Sequence, residues 1–136
     1  MKFATRLFEA RVENLAGASE YVEECADGWG LPPKKKFGIL VALEEAFVNV
    51  CGYAYPGGVG EVEISCEGDA DSLILEIADK GLPFDVLSLP DPDITLGIDE
   101  RAIGGLGVHL IRTLSDSVGY RRENGSNILR MVFGRG

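Results

Sequence analysis

A carboxylate and a carboxamide lie four residues apart, at Glu45 and Asn49, in the segment Leu43-Glu44-Glu45-Ala46-Phe47-Val48-Asn49. In a helix this spacing puts both side chains on one side, one turn apart, so that they could act on the same ligand. The apolar residues of the segment gather on a different face: Ile39, Leu43, Ala46, Phe47 and Val50. We expect the Glu45 side to be open, because small residues flank it: Gly38, Ala42 and Gly52. Taken alone, such a pair is more often a solvated helix face than a site.

A glycine-bearing turn, Asp79-Lys80-Gly81, follows a strand pattern in which Asp79 falls in phase with the buried side. A buried carboxylate is costly unless it is paired. Asp79 could accept a hydrogen bond from an exocyclic amine such as that of adenine, and Gly81 would let the backbone approach the base closely. The alternative is an aspartate that caps its own turn, which is common.

A second glycine-bearing turn, Gly104-Gly105-Leu106-Gly107, precedes an apolar helix pattern. Free amides and the positive end of the helix dipole suit an anion there, such as a nucleotide phosphate. The alternative is a hinge for the loop before it.

Together and in this order, these residues resemble the GHKL superfamily of ATP-binding folds. Residues 45–49 match its N box, residues 79–85 its first glycine box and residues 104–107 its second. The compact length and the Pro83-Phe84-Asp85 ending are most similar to the bacterial anti-sigma-factor serine/threonine-protein kinases. The resemblance implies a histidine-kinase-like ATPase fold, with ATP between the helices and a loop lid.

The resemblance also implies roles for single residues, with ATP and Mg²⁺ as cofactors. Glu45 would be the general base, Asn49 the magnesium ligand, and Asp79 the partner of the adenine amine. One carboxamide is a sufficient protein ligand, because Mg²⁺ keeps several waters and takes phosphate oxygens. The other implied ATP-binding residues are Gly81, Gly104, Gly105, Leu106, Gly107 and Arg101. Arg101 is the candidate basic lid residue; the alternative is an exposed arginine paired with Glu100.

Hydrophobic periodicity predicts the elements that position these residues. They are a strand over 3–10, a helix from its cap Asn14 to Gly30, a helix from about Pro33 to Gly52, strands near 61–67 and 73–79, a lid loop over about 86–103, a helix after Gly107, and a hairpin of 117–122 and 127–133 around Asn124-Gly125. We expect a single α+β domain over 1–136. Its fold would be a two-layer sandwich, a mixed or mostly antiparallel sheet with helices on one face. We expect His109, the only histidine, to pack rather than react.

Composition narrows the function classes. A net charge of −9 argues against broad contacts with nucleic acid. No apolar run approaches membrane-spanning length, and residues 1–6 lack the apolar core of a secretory signal. Three cysteines without CxxC spacing indicate reduced, mostly buried thiols and neither disulfides nor a zinc site. We therefore expect a cytoplasmic protein that binds neither nucleic acid nor membrane.

The resemblance implies a serine/threonine kinase that acts as an anti-sigma regulatory factor. Such a protein phosphorylates a STAS-type anti-sigma-antagonist protein and sequesters a sigma factor. It also suggests a homodimer, formed through the N-terminal strand. Two alternatives stay open: a nucleotide-gated binding module without catalysis, and the catalytic domain of a sensor histidine kinase.

Overall fold

The computed structural model describes residues 1–88 and 105–135. Its helices and strands follow the predicted order: β1 (Arg6–Glu9), α1 (Leu15–Trp29), α2 (Pro33–Tyr53), β2 (Glu61–Gly68), β3 (Ser72–Asp79), α3 (Gly105–Leu114), β4 (Ser117–Glu123) and β5 (Ser126–Gly134). Single 3₁₀ turns lie at Val12–Asn14 and Val86–Ser88. No helix of the described residues is long and apolar enough to cross a membrane.

The five described strands form one sheet in the order β1-β2-β3-β5-β4, and each neighbouring pair is antiparallel. Every second residue of β2, β3 and β5 is buried. The register pairs Asp79 with Val62 on one side and with Asn127 on the other. The end of β3 therefore lies at the centre of the sheet, where a neighbouring strand brings a second polar side chain beside Asp79.

The helices cover one face of this sheet, which confirms the predicted α+β layers. α2 lies between α1 and α3 and contacts both. The largest fully buried side chains come from all three helices and from β2, β3 and β5: Phe47, Phe133, Ile39, Leu43, Ile64, Leu73, Leu75, Ile111, Met131, Val22, Val62 and Val108. The core thus fixes α2, which carries Glu45 and Asn49, against the strand that carries Asp79.

Three local predictions were wrong or incomplete. Asn14 is the N-cap residue of α1, but its side chain does not cap the helix. Its Nδ2 donates instead to the Glu9 carbonyl at 3.0 Å, because the preceding 3₁₀ turn already leads the chain into the helix. β1 is shorter than predicted, because the Ala4 carbonyl accepts a hydrogen bond from the Tyr21 hydroxyl. His109 is exposed on α3 and does not pack. The cysteines follow the prediction: all three are free, and Cys25 and Cys66 are buried.

Candidate functional site

The small residues beside Glu45 predicted that this side of α2 is open. The structure shows instead that α3 packs along it. Ala42 is fully buried, and a Cβ atom at Gly38 would lie 3.7 Å from the Leu114 Cβ. Gly38 and Ala42 therefore admit a helix, whereas a Cβ atom at Gly52 would meet nothing within 4 Å, as an open side predicts. Asn49 is buried, with 8% of its surface exposed, and Glu45 is half-buried.

Gly107 brings the first turn of α3 against Glu45. A Cβ atom at position 107 would lie 2.6 Å from Glu45 Oε2. Amide groups in the first turn of a helix have no partner within the helix, so this is a place where backbone donors are available. The structure therefore joins one residue of the second glycine segment to the N-box carboxylate, two features that were linked only by resemblance.

Burial raises the pKa of the Glu45 carboxyl above its ordinary value of 4.5, and the neighbouring Glu44 carboxylate raises it further. A carboxylate with a raised pKa holds a proton more tightly than an exposed glutamate does. Glu45 is therefore better suited to accept a proton from an incoming hydroxyl.

Asn49 carries a buried polar atom without a partner. Its Nδ2 is a buried donor that has no hydrogen-bond acceptor among the described residues. An unpaired buried donor costs about 1–3 kcal/mol, so such an atom indicates a missing ligand or water. Asn49 also lines a mostly apolar cleft between α2 and the sheet, which makes a ligand the more direct explanation.

Asp79 lines the same cleft, and only 7% of its surface is exposed. Its Oδ1 accepts hydrogen bonds from the Gly81 amide and from Asn127 Nδ2, both at 2.9 Å. Asp79 thus does cap its own turn, as one interpretation predicted. Both bonds use the same oxygen, and Oδ2 remains able to accept from a ligand amine.

Asn127 is a site residue that the motifs did not reveal. Its Nδ2 also donates to the Leu82 carbonyl at 2.7 Å, while its Oδ1 accepts from the Phe84 amide at 3.1 Å and from the Tyr120 hydroxyl at 2.6 Å. These bonds tie β5 and β4 to the turn after β3. The signal was present: Asn127 is in phase with the buried residues of its strand, as Asp79 is in its own.

The cleft that Asn49 and Asp79 line is mostly apolar. Tyr53 and Phe84 stack directly on each other, with ring centroids 5.0 Å apart and planes 21° from parallel, and form one aromatic wall of the cleft. The remaining walls come from α2, its C-terminal residue, β3, β5, β4 and the turn after β3: Ala46, Val50, Ala54, Ile77, Leu129, Tyr120 and Val86. Flat apolar walls with a carboxylate at one end suit a planar heterocycle that carries an amine.

Gly81 is required by the protein itself. A Cβ atom at this position would lie 2.2 Å from the Ala54 carbonyl oxygen, which accepts a hydrogen bond from the Leu82 amide at 2.9 Å. The glycine therefore lets the turn after β3 pack on the end of α2. A direct contact of Gly81 with a base remains a prediction.

We expect Gly81→Ala to lower the free energy of unfolding by about 1–3 kcal/mol, the usual cost of overpacking, because backbone atoms must move. Gly58→Ala is the matched control, since a Cβ atom at Gly58 would meet no atom within 4 Å. Urea unfolding of both variants measures the difference. Equal stability of the two variants would contradict the packing described here.

The other predicted site residues lie partly outside the described residues. α3 begins at Gly105, earlier than predicted, so that Gly105, Leu106 and Gly107 form the first turn of the helix instead of preceding it. Arg101, Gly104 and most of the predicted lid, residues 89–103, are outside the described residues, and their roles stay predictions. The first lid residues, Val86–Ser88, form the 3₁₀ turn, with Val86 buried.

The site around Asn49 fits a magnesium ion that takes one ligand from the protein and the others from the nucleotide and water. Among residues 1–88 and 105–135, no group of three or more His, Cys, Asp or Glu side chains could hold a metal ion. Among these residues, Asn49 would therefore need further ligands from the nucleotide and water. A carboxamide oxygen from Asn49, nucleotide phosphate oxygens and water form the hard-oxygen set that Mg²⁺ prefers.

The chain is similar to known proteins. Residues 8–133 match the family model described as the histidine kinase-like ATPase domain. The serine-protein kinase RsbW of Bacillus cereus (strain AH187) is 32% identical over 93 residues, which make up 65% of this chain and 58% of that protein. The protein of the same name from Bacillus mycoides (strain KBAB4) is 31% identical over the same shares. The match thus spans 58% of the length of these curated relatives.

Proposed function

We propose, from the premise that this chain belongs to the histidine kinase-like ATPase domain family, that it is an ATP-dependent serine/threonine protein kinase and an anti-sigma regulatory factor. The observation that carries the proposal is the buried, unpartnered Nδ2 of Asn49, in a cleft that the Asp79 carboxylate also lines. Similarity to proteins named serine-protein kinase supports the choice of reaction.

In this proposal the cleft binds the adenine base. The Tyr53 and Phe84 rings and the aliphatic walls hold its faces, and Asp79 Oδ2 accepts a hydrogen bond from its amine. Asn127 has all of its hydrogen-bonding groups engaged by the protein, so it keeps the Asp79 carboxylate in place rather than contacting the base. The cleft therefore sets both the position and the identity of the nucleotide.

The phosphates would extend from the base along α2, past Asn49 towards Glu45 and the first turn of α3. Bound Mg²⁺ would supply neutralisation of phosphate charge, with Asn49 as its protein ligand. Glu45 accepts the proton of the attacking serine or threonine hydroxyl. The lid and Arg101 belong to the same proposal and close over the terminal phosphate.

The proposed substrate is a STAS-type anti-sigma-antagonist protein, and the proposed second partner is a sigma factor. The relatives' names support the kinase reaction, while the partners rest on the resemblance of the three motifs. A single domain over 1–136, a homodimer and a cytoplasmic location are part of the same proposal.

The test is incubation of the purified protein with ATP labelled on its terminal phosphate, Mg²⁺ and the STAS-domain proteins of the same cell. We expect acid-stable phosphoserine or phosphothreonine on one STAS protein. Acid-labile phosphate on a histidine would favour a sensor histidine kinase. Tight binding of the STAS protein without transfer would favour the non-catalytic module, and fast hydrolysis unchanged by any partner would favour an ATPase.

A further inference from the structure

The side of α2 that points away from the core carries apolar side chains where a surface helix normally carries polar ones. Phe37, Val41, Glu44 and Val48 follow the spacing of one helix face, and we call them the outer stripe. Phe37 is 67% exposed and Val48 is 41% exposed, while Val41 is half-buried. Glu44 is the single acidic residue in the stripe, and exposed Lys34, three residues before Phe37, continues the same face with a positive charge. The middle helix of the layer is therefore apolar on both its inner and its outer face.

Neither helix stability nor the core explains the outer stripe. Phenylalanine and valine favour helices less than glutamate, lysine or glutamine do at exposed positions. The core contacts of α2 come from the opposite side, through residues such as Ile39 and Ala46. Two large exposed apolar side chains on one face instead indicate a surface that a partner covers.

The charges beside the outer stripe differ between its two borders. On the α1 border, four acidic residues are exposed: Glu20, Glu23, Glu24 and Asp27. Lys36 of α2 pairs with Glu23 at 3.4 Å and with Asp27 at 3.0 Å. Glu20 and Glu24 form no ion pair with any described residue. This border therefore offers uncompensated negative charge.

The α3 border exposes no acidic side chain within the helix. Its exposed residues are His109, Arg112 and Thr113, and Arg112 Nη2 donates to the Leu87 carbonyl at 2.6 Å. Among the described residues of the three helices, the exposed acidic side chains that border the outer stripe therefore lie on α1, while Glu45 lies half-buried between α2 and α3. This difference between the two borders favours a ligand with basic residues on one flank, and it favours the orientation that places this flank beside α1.

We propose that the outer stripe and the acidic border of α1 form a docking surface for an amphipathic helix of a partner protein, with an apolar stripe flanked on one side by lysine or arginine. Apolar anchors at helical spacing would lie on Phe37, Val41 and Val48, in the way that amphipathic helices bind apolar surfaces of other proteins. The basic flank would pair with Glu20 and Glu24. The surface goes beyond the proposed kinase reaction, because it uses neither the cleft nor Glu45.

The experiment uses two fluorescent synthetic peptides, both helical with a leucine stripe, one flanked by lysine and the other by glutamate. Fluorescence anisotropy at physiological salt measures their binding to the full chain. The double variant Phe37→Ser, Val48→Ser removes the anchors. Its control is Leu7→Ser, Val59→Ser, which removes side chains that are 60% and 50% exposed elsewhere. A charge variant, Glu20→Gln with Glu24→Gln, removes the unpaired negative charge of the α1 border. Its control, Glu61→Gln with Glu63→Gln, removes the same amount of charge from exposed residues of β2.

We expect the lysine-flanked peptide to bind and the glutamate-flanked peptide to bind at least about tenfold more weakly. The anchor variant should weaken binding by about tenfold or more, as for the central apolar residues of an interface, and its control by less than about twofold. The α1 charge variant should weaken binding several-fold more than the β2 charge variant. ATP affinity and thermal unfolding of each variant show whether the cleft and the fold are intact.

Four results would overturn the proposal. Equal losses in the anchor variant and its control would mean that the peptide does not bind at the outer stripe. Equal losses in the two charge variants would mean that it binds through overall charge. Equal binding of the two peptides would remove charge complementarity. Self-association of the protein that Phe37→Ser, Val48→Ser abolishes, seen by analytical ultracentrifugation, would make a second copy of the chain the occupant. A loss of kinase activity alone tests the proposed function and leaves the docking surface as it is.

Discussion

Replacing Glu45 by glutamine is expected to lower phosphotransfer by about 10²-fold or more while ATP affinity stays nearly unchanged, as for loss of a general base. Glutamine keeps the shape that fits against Gly107 but cannot take up the proton of the attacking hydroxyl. Single-turnover transfer to the protein substrate measures the rate, and titration calorimetry measures the affinity. Glu44→Gln is the matched control, because Glu44 is the exposed neighbour on the same helix.

The pH dependence of the same reaction tests the role of the carboxylate. Burial and Glu44 raise the pKa of Glu45, and the base works only when it is deprotonated, so the rate should fall as pH drops through a midpoint above 4.5. Glu44→Gln removes one of the two causes and should move that midpoint to lower pH. If Glu45→Gln transfers phosphate at the wild-type rate, Glu45 is a structural residue and the proposed chemistry fails.

Replacing Asp79 by asparagine is expected to weaken ATP binding by about 1–3 kcal/mol, the cost of disturbing a buried hydrogen-bond partner. The asparagine Oδ1 can still accept from Gly81 and Asn127, so the turn after β3 should stay folded. The other side-chain position becomes an amide donor, which cannot accept from the adenine amine. The preference for ATP over GTP should therefore shrink together with the affinity.

Asp85→Asn is the control for this substitution. Asp85 ends the first glycine box but does not line the cleft, and its Oδ1 accepts from the Leu87 amide at 2.9 Å, a bond that asparagine can keep. Calorimetric titrations with ATP and GTP measure both variants and the wild type. Equal affinity of the wild type for ATP and GTP would remove adenine recognition from the account, whatever the effect of the substitution.

Local sequence patterns predicted the order of helices and strands and the burial of Asp79 in the cleft. Strict alternation along β3 placed Asp79 on the buried face, since each strand position determines which face a side chain takes. Strongly periodic helices and the Asn124-Gly125 turn signal were also sufficient to order the chain. The same phase argument would have found Asn127, because it applies to any polar residue among the buried positions of a strand.

Features that depend on which element packs against which could not be read from the sequence. Small residues beside Glu45 predicted open space, but they also permit close approach of a helix, and only the tertiary arrangement shows that α3 lies there. Gly81 was assigned to the ligand for the same reason, whereas the Ala54 carbonyl occupies the space beside it. The free space that a glycine provides does not reveal what fills it.

The most direct test of the central claim is a crystal structure of the protein with Mg²⁺ and a non-hydrolysable ATP analogue. We expect the adenine ring in the cleft, against the wall that the stacked Tyr53 and Phe84 rings form, with its amine within hydrogen-bonding distance of Asp79 Oδ2. We also expect the metal ion on the Asn49 carboxamide oxygen and the terminal phosphate between Glu45 and the first turn of α3. A nucleotide bound elsewhere, with Asn49 and Asp79 free of contacts to it, would contradict the account.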